Sequence, residues 1–366
     1  MRVLIAPQEF KESLTARQVT ATINRGIQTA CPSWEIDTLP MSDGGPGFLD
    51  VISTHIPSIS HPVQVQNPLG DMIYANYLRL NDKSIVLIEA AKANGLALIP
   101  TLKRDPITSE SAGVGDLINA ALHEKSEQII IGLGGSASSD GGIGMAKVLG
   151  AHFFDRDGNT IGPGISELHK LSEINWQPSL EIKNTTFQVA SDVKNPLLGP
   201  MGAATIFGPQ KGATSQQIIL IEEGLKHLAE ILKTSLGIDV SKIEGGGAAG
   251  GLAAGLSAFL GAEIRSGFDF VAHTINLEKH LYKADIVITG EGRYDNQSSN
   301  GKTTGRIKEL CQEQNKPCII FTGETASNDK DIWTITDSTI DKQQSISKAS
   351  LFLEQAAHQW AKGYVA

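Results

Sequence analysis

The chain has 366 residues, a formal net charge of −9 and three cysteines, and this length favours two domains over one. An acidic balance without a run of four or more basic residues argues against a nucleic-acid-binding surface, and no apolar stretch reaches the roughly 20 residues that a membrane-spanning helix needs. Cys31, Cys311 and Cys318 form neither a Cys-x-x-Cys pair nor a metal-binding spacing, and the first apolar run is too short for a signal peptide, so we expect a protein of the reducing cytoplasm.

The first 47 residues alternate between strand and helix patterns. Residues 2–6 are an uninterrupted apolar run, which is typical of a buried parallel strand, and residues 35–39 predict a second strand. Between them, apolar residues at helical spacing predict a helix over residues 15–29, with Thr15 as its N-cap. A strand-helix-strand start predicts a parallel sheet whose functional loops follow the carboxyl ends of its strands, as the loop of residues 41–47 does.

The middle of the chain favours antiparallel pairing. Residues 72–80 and 84–89 predict two strands joined by a turn, and a second hairpin is predicted over residues 151–161. The turn of that hairpin, DRDGN, resembles the first half of a calcium-binding loop. Loop position twelve, where such a site needs a glutamate, is Ser166, so we interpret the segment as a turn.

A parallel α/β pattern returns near the end of the chain. The predicted elements are strands at residues 284–289, 317–322 and 333–336 and helices at residues 302–313 and 346–363. We therefore expect an α/β protein with two domains. Residues 1–66 and 284–366 would form a Rossmann/flavodoxin-like domain with a parallel sheet, and residues 67–283 would form an inserted mixed α/β domain.

The glycine-rich segment after the strand predicted at residues 129–131 is the strongest local motif. Its sequence, GLGGSASSDGG, precedes a helix predicted at residues 143–149. Gly134, Gly135 and Ser136 would offer amides and a hydroxyl with little steric cover, which suits a phosphate. The alternative is a tight turn that only lets the helix pack on the strand. A nucleophile elbow is a weaker interpretation, because the final glycine of Gly-x-Ser-x-Gly is Ser138 here.

Other loops also suit anions. Residues 296–303 resemble a phosphate-binding loop with Asn296 in place of the first glycine, and Lys302 would either reach a phosphate or be an exposed lysine. Three glycines at residues 245–247 precede a helix of small residues. Together with aspartates in several loops (Asp43, Asp140, Asp192 and Asp295), these features favour phosphoryl transfer with Mg²⁺.

The chain resembles a known family, the bacterial glycerate kinases of the first class. The matching segments are residues 6–16 (APQEFKESLTA), 43–47 (DGGPG), 88–91 (IEAA), 95–98 (GLAL), 104–106 (RDP), 113–115 (GVG), 132–137 (GLGGSA), 140–142 (DGG), 192–200 (DVKNPLLGP), 207–214 (FGPQKGAT) and 288–293 (ITGEGR). The resemblance implies ATP- and Mg²⁺-dependent phosphorylation of D-glycerate, in a cleft of a two-domain α/β fold. Since phosphoryl transfer must exclude water, the two-domain architecture itself predicts closure on the substrate.

Within that resemblance we expect specific roles for individual residues. Lys11, Arg293 and Asn195 would bind the substrate, and Asp192 would accept the proton of its hydroxyl group. Phosphate and nucleotide would be bound by Gly134, Gly135, Ser136, Glu291 and Lys302, and Mg²⁺ by Asp43 and Asp295. Whether the product is 2- or 3-phosphoglycerate, and whether the chain forms a homo-oligomer, is left open by the sequence.

Two departures from the family pattern define an alternative. Gln8 replaces the aspartate of the opening motif and Pro46 replaces the glutamate of Asp-Gly-Gly-Glu-Gly. The loss of two carboxylates favours a catalytically silent member that binds glycerate or nucleotide as a sensor. Retention of Lys11, Asp43 and Asp192 favours the kinase.

Overall fold

The computed structural model describes residues 1–81, 84–294, 303–327, 329–336 and 340–365. Contacts divide the chain into two compact units. Unit 1 comprises Met1–Asp43, Asp50–Ile56 and Phe268–Ala366, and unit 2 comprises Gly44–Leu49 and Pro57–Gly267. That residues 1–66 with 284–366 and residues 67–283 fold as separate domains stays a prediction.

The described residues contain thirteen strands. In chain order they are β1 (Arg2–Ile5), β2 (Glu35–Thr38), β3 (Ser58–Gln66), β4 (Met72–Leu80), β5 (Ile85–Glu89), β6 (Gln128–Gly132), β7 (His152–Phe154), β8 (Glu173–Asn175), β9 (Thr186–Ala190), β10 (Glu263–Arg265), β11 (Ile286–Tyr294), β12 (Cys318–Thr325) and β13 (Ile332–Thr334).

The same residues contain fourteen α-helices. In chain order they are α1 (Ala16–Ala30), α2 (Phe48–His55), α3 (Ala91–Asn94), α4 (Ala112–Leu122), α5 (Ile143–Val148), α6 (Leu180–Asn184), α7 (Ala203–Phe207), α8 (Ser215–Leu236), α9 (Leu252–Leu260), α10 (Gly267–Thr274), α11 (Leu277–Lys283), α12 (Thr303–Glu313), α13 (Lys342–Ser347) and α14 (Ala349–Tyr364). Among these helices, none combines the length and apolar composition needed to cross a bilayer.

Unit 1 is built on a parallel sheet of five strands in the order β13-β12-β11-β1-β2. Numbered along this unit, the order is 2-1-3-4-5, which is the flavodoxin-like arrangement. The expected α/β class with a parallel sheet and a second, mixed sheet is therefore confirmed. Successive strands are added on one side of β1 and then on the other, so the strand order reverses between β1 and β11. Open α/β sheets bind ligands at such a switch point.

Helices α1 and α14 pack together beside this sheet. Helix α1 begins with a capping box in which Thr15 and Gln18 exchange side-chain and backbone hydrogen bonds, as the N-cap prediction requires. Gly26 permits the close approach of α14, because a Cβ there would lie 2.5 Å from the carbonyl oxygen of Glu354. Trp360 of α14 lies in the buried core of this unit, edge-on to Trp34.

Unit 2 contains a six-stranded sheet in the order β10-β9-β6-β5-β4-β3. The first four strands are parallel, and β4 and β3 continue the sheet in antiparallel pairing, as predicted for β4 and β5. Sequence patterns missed β3, since Pro62 lies within it. A proline is tolerated there because β3 is an edge strand and has no neighbour on one side.

Three local predictions need correction. The turn at residues 155–159 forms, but β7 pairs with β8 rather than with residues 160–161, which contribute a single bridge to it. The strand predicted to end at residue 289 continues as β11 to Tyr294, because β12 is long enough to pair with it. The closing helix predicted at residues 346–363 is instead two helices, α13 and α14.

Candidate active site

The switch point of unit 1 brings two predicted substrate-binding residues onto neighbouring chain segments. The backbone of β1 continues alongside β11, and the Gln8 amide donates to the carbonyl of Gly290. At Gly292 a Cβ would lie 3.3 Å from the backbone nitrogen of Lys11, so the chain carrying Lys11 passes directly over β11. Lys11 and Arg293 are both exposed there. Two cationic side chains at the carboxyl edge of a parallel sheet suit an anionic ligand.

The other predicted site residues of unit 1 are placed only in part. Asp43 is half-buried, and Glu291 is 8% exposed within β11. Asp295 and Lys302 lie outside the described residues. The expected binding of Mg²⁺ by Asp295 and of nucleotide by Lys302 therefore stays a prediction. Across the described ranges, no group of three or more His, Cys, Asp or Glu side chains is positioned to hold a metal ion.

In unit 2, the parallel strands β5, β6, β9 and β10 are neighbours, so the loops after them share one edge of the sheet. Asp192 follows β9 and Ser266 follows β10, and the Ser266 hydroxyl donates to Asp192 Oδ1 at 2.7 Å. Asn195 lies three residues further on, and its Nδ2 donates to the carbonyl of Met201 at 2.8 Å, which closes the loop. The candidate base is thus oriented by a hydroxyl that sequence analysis did not select.

The loop after β6 presents successive backbone N–H groups. Gly135 has φ +59°, in the left-handed region that glycine favours. The N–H groups of Gly134, Gly135 and Ser136 donate to no group among the described residues, whereas those of Leu133 and Ala137 are bonded to Ala190 and Asn94. Successive amides around a left-handed residue form a concave site for an anion.

The two glycines at the start of this loop also permit close packing within unit 2. A Cβ on Gly134 would lie 2.6 Å from Gly45 Cα, and one on Gly135 would lie 2.9 Å from Pro46 Cγ. The predicted tight-packing role is therefore present, with segment 44–46 rather than a helix as the neighbour. Pro46, where the family pattern has glutamate, packs its ring on the exposed residue Gly135.

Asp140, expected among the aspartates that could serve phosphoryl transfer, is instead a buried structural acceptor. Its carboxylate accepts hydrogen bonds from the amide and hydroxyl of Ser111 and from the amides of Gly142 and Gly144. Only 1% of Asp140 is exposed. A carboxylate with four donors around it holds the end of the glycine-rich loop against α4 and α5, and we assign it no ligand.

Lys211 is a functional candidate that the sequence analysis did not single out. Its ammonium is buried beneath the glycine-rich loop and donates to Ser136 Oγ at 3.1 Å and to the carbonyl of Ser138 at 2.5 Å. Burial lowers the pKa of the ammonium to about 7, and the charge of Asp140 opposes this shift. Gly250 has φ +70°, and a Cβ there would lie 2.2 Å from the Ser138 carbonyl oxygen and 2.7 Å from Nζ, so a glycine is needed at that position.

Two further buried side chains organise neighbouring loops of unit 2. Asn94 pairs with Ser138, donating from Nδ2 to the hydroxyl at 2.9 Å and accepting the amide at Oδ1. Glu89, at the end of β5, accepts from the amides of Gly47 and Leu49, each at 3.2 Å. Glu89 and Lys211 both lie in segments that carry the family resemblance. The sequence feature that could have identified them is a charged residue among small or apolar neighbours.

Comparison with known proteins identifies the family. The model of the glycerate kinase family matches residues 3–364. The chain belongs to this family. This glycerate kinase family member is 39% identical to the glycerate 2-kinase of Escherichia coli K12 over 357 residues, covering 97% of this chain and 93% of the relative. It is 37% identical to the glycerate kinase of Bacillus subtilis 168, with the same coverage.

A solved structure extends the likeness to the fold. The crystal structure of a protein assigned as glycerate kinase 2 from Salmonella typhimurium LT2 matches with a TM-score of 0.80 and 36% identity, covering 100% of this chain and 98% of that one. The family resemblance inferred from sequence motifs and the expectation of a kinase are thus confirmed. The roles expected for individual site residues stay predictions.

Proposed function

We propose that this family member transfers the γ-phosphoryl group of ATP to the 2-hydroxyl group of D-glycerate. The observation that carries the proposal is the run of three N–H groups at Gly134, Gly135 and Ser136, which find no acceptor among the described residues. Such a run suits the oxygens of a phosphate group. Family membership supports glycerate as the acceptor, and the name of the Escherichia coli relative supports the 2-position.

Lys11 and Arg293 are proposed to bind the carboxylate of glycerate. Both are exposed at the carboxyl edge of the unit 1 sheet, on segments that meet at Gly292. Charge-assisted hydrogen bonds from a lysine and an arginine would orient a small anion more firmly than neutral donors could.

Asp192 is proposed to accept the proton of the substrate hydroxyl. The hydrogen bond from Ser266 to Oδ1 restricts the rotation of the carboxylate, and a restricted base loses less entropy when the substrate binds. Asn195 has committed Nδ2 to Met201, so its Oδ1 is the atom proposed to meet a substrate hydroxyl.

Asp43 and Asp295 would hold Mg²⁺, and Glu291 and Lys302 would contact the nucleotide. Asp43 is half-buried in a loop, and its carboxylate oxygens are the ligand type that Mg²⁺ prefers, so this residue fits the ion. When bound, Mg²⁺ neutralises negative charge on the phosphates. One or two carboxylates suffice for that role, because phosphate oxygens and water complete the coordination.

Turnover of the purified protein tests the proposal directly. ADP release should depend on D-glycerate, and the ³¹P spectrum of the product should be that of 2-phosphoglycerate. A 3-phosphoglycerate spectrum would contradict the proposed position alone. ATP binding without turnover would favour the silent, sensor-like alternative.

The Asp192→Asn substitution tests the proposed base. It keeps an acceptor for Ser266 but removes the proton acceptor, and we expect kcat to fall roughly 10²-fold or more while ATP binding is retained. Asp239→Asn is the matched control, because Asp239 lies in the same unit but pairs with Lys233 and Ser241 near the surface. Equal activity of the two variants would exclude Asp192 as the base.

A further inference from the structure

A buried lysine, Lys211, lies beneath the loop proposed to bind phosphate. Lys211 ends a short 3-10 turn between α7 and α8, and Gly212 follows it with φ +93°. The Gly212 amide donates to Pro209, and Thr214 then caps α8. Since the backbone is restrained on both sides, the lysine side chain is directed into the interior, where only 2% of it is exposed.

The direction of the hydrogen bond between Lys211 and Ser136 follows from chemistry. An ammonium has three donors and no lone pair, so Ser136 Oγ must accept. The hydrogen of the Ser136 hydroxyl must then point away from Nζ. Over the part of the chain that the structure describes, no oxygen accepts this hydrogen. The hydroxyl is therefore left as a donor beside the three N–H groups of the same loop.

We propose that Lys211 is a positioning residue for ATP: its ammonium orients the Ser136 hydroxyl so that this hydroxyl donates to a phosphate oxygen. The inference rests on the proposed function, since it assumes that a phosphate of ATP occupies the loop. Lys211 acts through Ser136 and through the carbonyl of Ser138, and it does not itself contact the nucleotide. A hydroxyl that accepts from a cation is also a stronger donor, because the two bonds polarise each other.

The proposal implies that the protonation of Lys211 controls the hydroxyl. A neutral amine carries a lone pair and can accept the Ser136 hydrogen, which would withdraw the donor from the phosphate. Burial favours the neutral amine and Asp140 favours the ammonium. The other charged groups around these elements are Arg104, whose backbone packs on Gly212, and Glu110, whose pKa is raised by burial and by Asp140. The ammonium should therefore predominate below pH 7 and the amine above it.

The first test compares ATP binding to the wild type and to Ser136→Ala by calorimetry between pH 6 and pH 9. The ratio of the two dissociation constants cancels the titration of ATP itself. We expect a ratio of about five-fold below pH 7, the size of one lost hydrogen bond, which declines toward one above pH 7. Ser139→Ala, on the same loop, is the control and should give a ratio near one throughout. A ratio for Ser136→Ala that does not change with pH would overturn the proposal.

The second test removes the ammonium with Lys211→Met, which keeps the length of the side chain. ATP binding at pH 6.5 should weaken about five-fold, and adding Ser136→Ala should weaken it no further, because both variants lose the same hydrogen bond. Lys147→Met is the matched control, since its ammonium also donates to a backbone carbonyl, that of Gly162. If the loss of ATP affinity in the double variant equals the sum of the losses in the two single variants, the inference is overturned.

These readouts separate the inference from the function on which it rests. The pH-dependent ratio needs only the wild type and Ser136→Ala, so it decides the inference even where Lys211→Met does not fold. Binding of ATP with the expected pH dependence but without phosphorylation of glycerate would refute the proposed reaction alone. Turnover with a ratio that does not depend on pH would refute the role of Lys211 alone.

Discussion

Two segments of the molecule share a local pattern and fold differently. Residues 132–134 (GLG) and 290–292 (GEG) each follow a buried, mostly apolar run in a parallel strand. After Gly132 the chain leaves the sheet and forms the loop that we assign to phosphate. After Gly290 the chain stays in the sheet, as part of β11 up to Tyr294.

The neighbouring strands explain the difference. Strand β12 runs on to Thr325, so Glu291 and Arg293 stand in register with Thr322 and Glu324 and their backbone groups are bonded there. Beside β6, the flanking strands β5 and β9 end with it, at Glu89 and Ala190. A backbone that loses its sheet partners must find others. At Ser138, Gly142 and Gly144 the loop finds them in the buried side chains of Asn94, Lys211 and Asp140. We therefore expect the stability of the loop to depend on single side chains and that of the strand segment not to.

The largest expected effect comes from removing the buried carboxylate of the loop. Asp140→Ala would leave the amides of Ser111, Gly142 and Gly144 without their acceptor. We expect the free energy of unfolding, measured with urea, to fall by at least about 3 kcal/mol. Glu324→Gln, at an exposed position beside the strand segment, should change it by less than about 0.5 kcal/mol. Comparable losses in the two variants would refute the contrast.

A smaller effect is expected from adding one methyl group to each segment. The Cβ of Gly134→Ala would meet Gly45 Cα at 2.6 Å, whereas that of Gly292→Ala would meet the backbone nitrogen of Lys11 at 3.3 Å. Both contacts are with backbone atoms, but the first is shorter than any real Cβ contact. Relief there requires movement of a loop, and we expect a destabilisation of about 1–3 kcal/mol. Gly292→Ala should cost clearly less. Thermal unfolding of the pair provides the measurement, and the reverse order would show that the loop has room to adjust.

The smallest effect is expected from the pH dependence of stability. Burial lowers the pKa of Lys211 to about 7 in the folded chain, whereas in the unfolded chain it has the ordinary lysine value of 10.5. Between these values the unfolded chain binds more protons, so Lys211 makes the free energy of unfolding rise with pH, by up to about 1.4 kcal/mol per pH unit. Urea unfolding of Lys211→Met between pH 7 and pH 9 should lack this rise, and Lys147→Met should keep it. Identical slopes in all three proteins would place the pKa of Lys211 outside this window.

Much of unit 1 could be predicted because its elements are regular. Strand β1 and the first residues of β12 are buried apolar runs, and the helical spacing behind Thr15 is unambiguous. The missed strand β3 and the misassigned partner of β7 depend on pairing with distant residues. No local pattern reports such a partner, since edge strands and short strands have weak periodicity.

The candidate site divides in the same way. Motifs along the chain were enough to identify the family and to indicate the loop at Gly134–Ser136. They could not separate Asp140 from Asp192, because both are aspartates in loops after buried strands. Only the folded chain surrounds the first with four donors in the buried interior and places the second within reach of the Ser266 hydroxyl.

The amino-acid sequence by itself determined the α/β class, the order of most strands and helices, and the family, because these follow from periodicity and from short motifs of fixed spacing. The tertiary structure decided which charged groups are buried. Lys211 lies 75 residues from Ser136 along the chain, and its burial, its lowered pKa and its bond to the loop arise only when α7 and α8 pack beneath that loop. Desolvation depends on all neighbours at once, so no segment of sequence contains it.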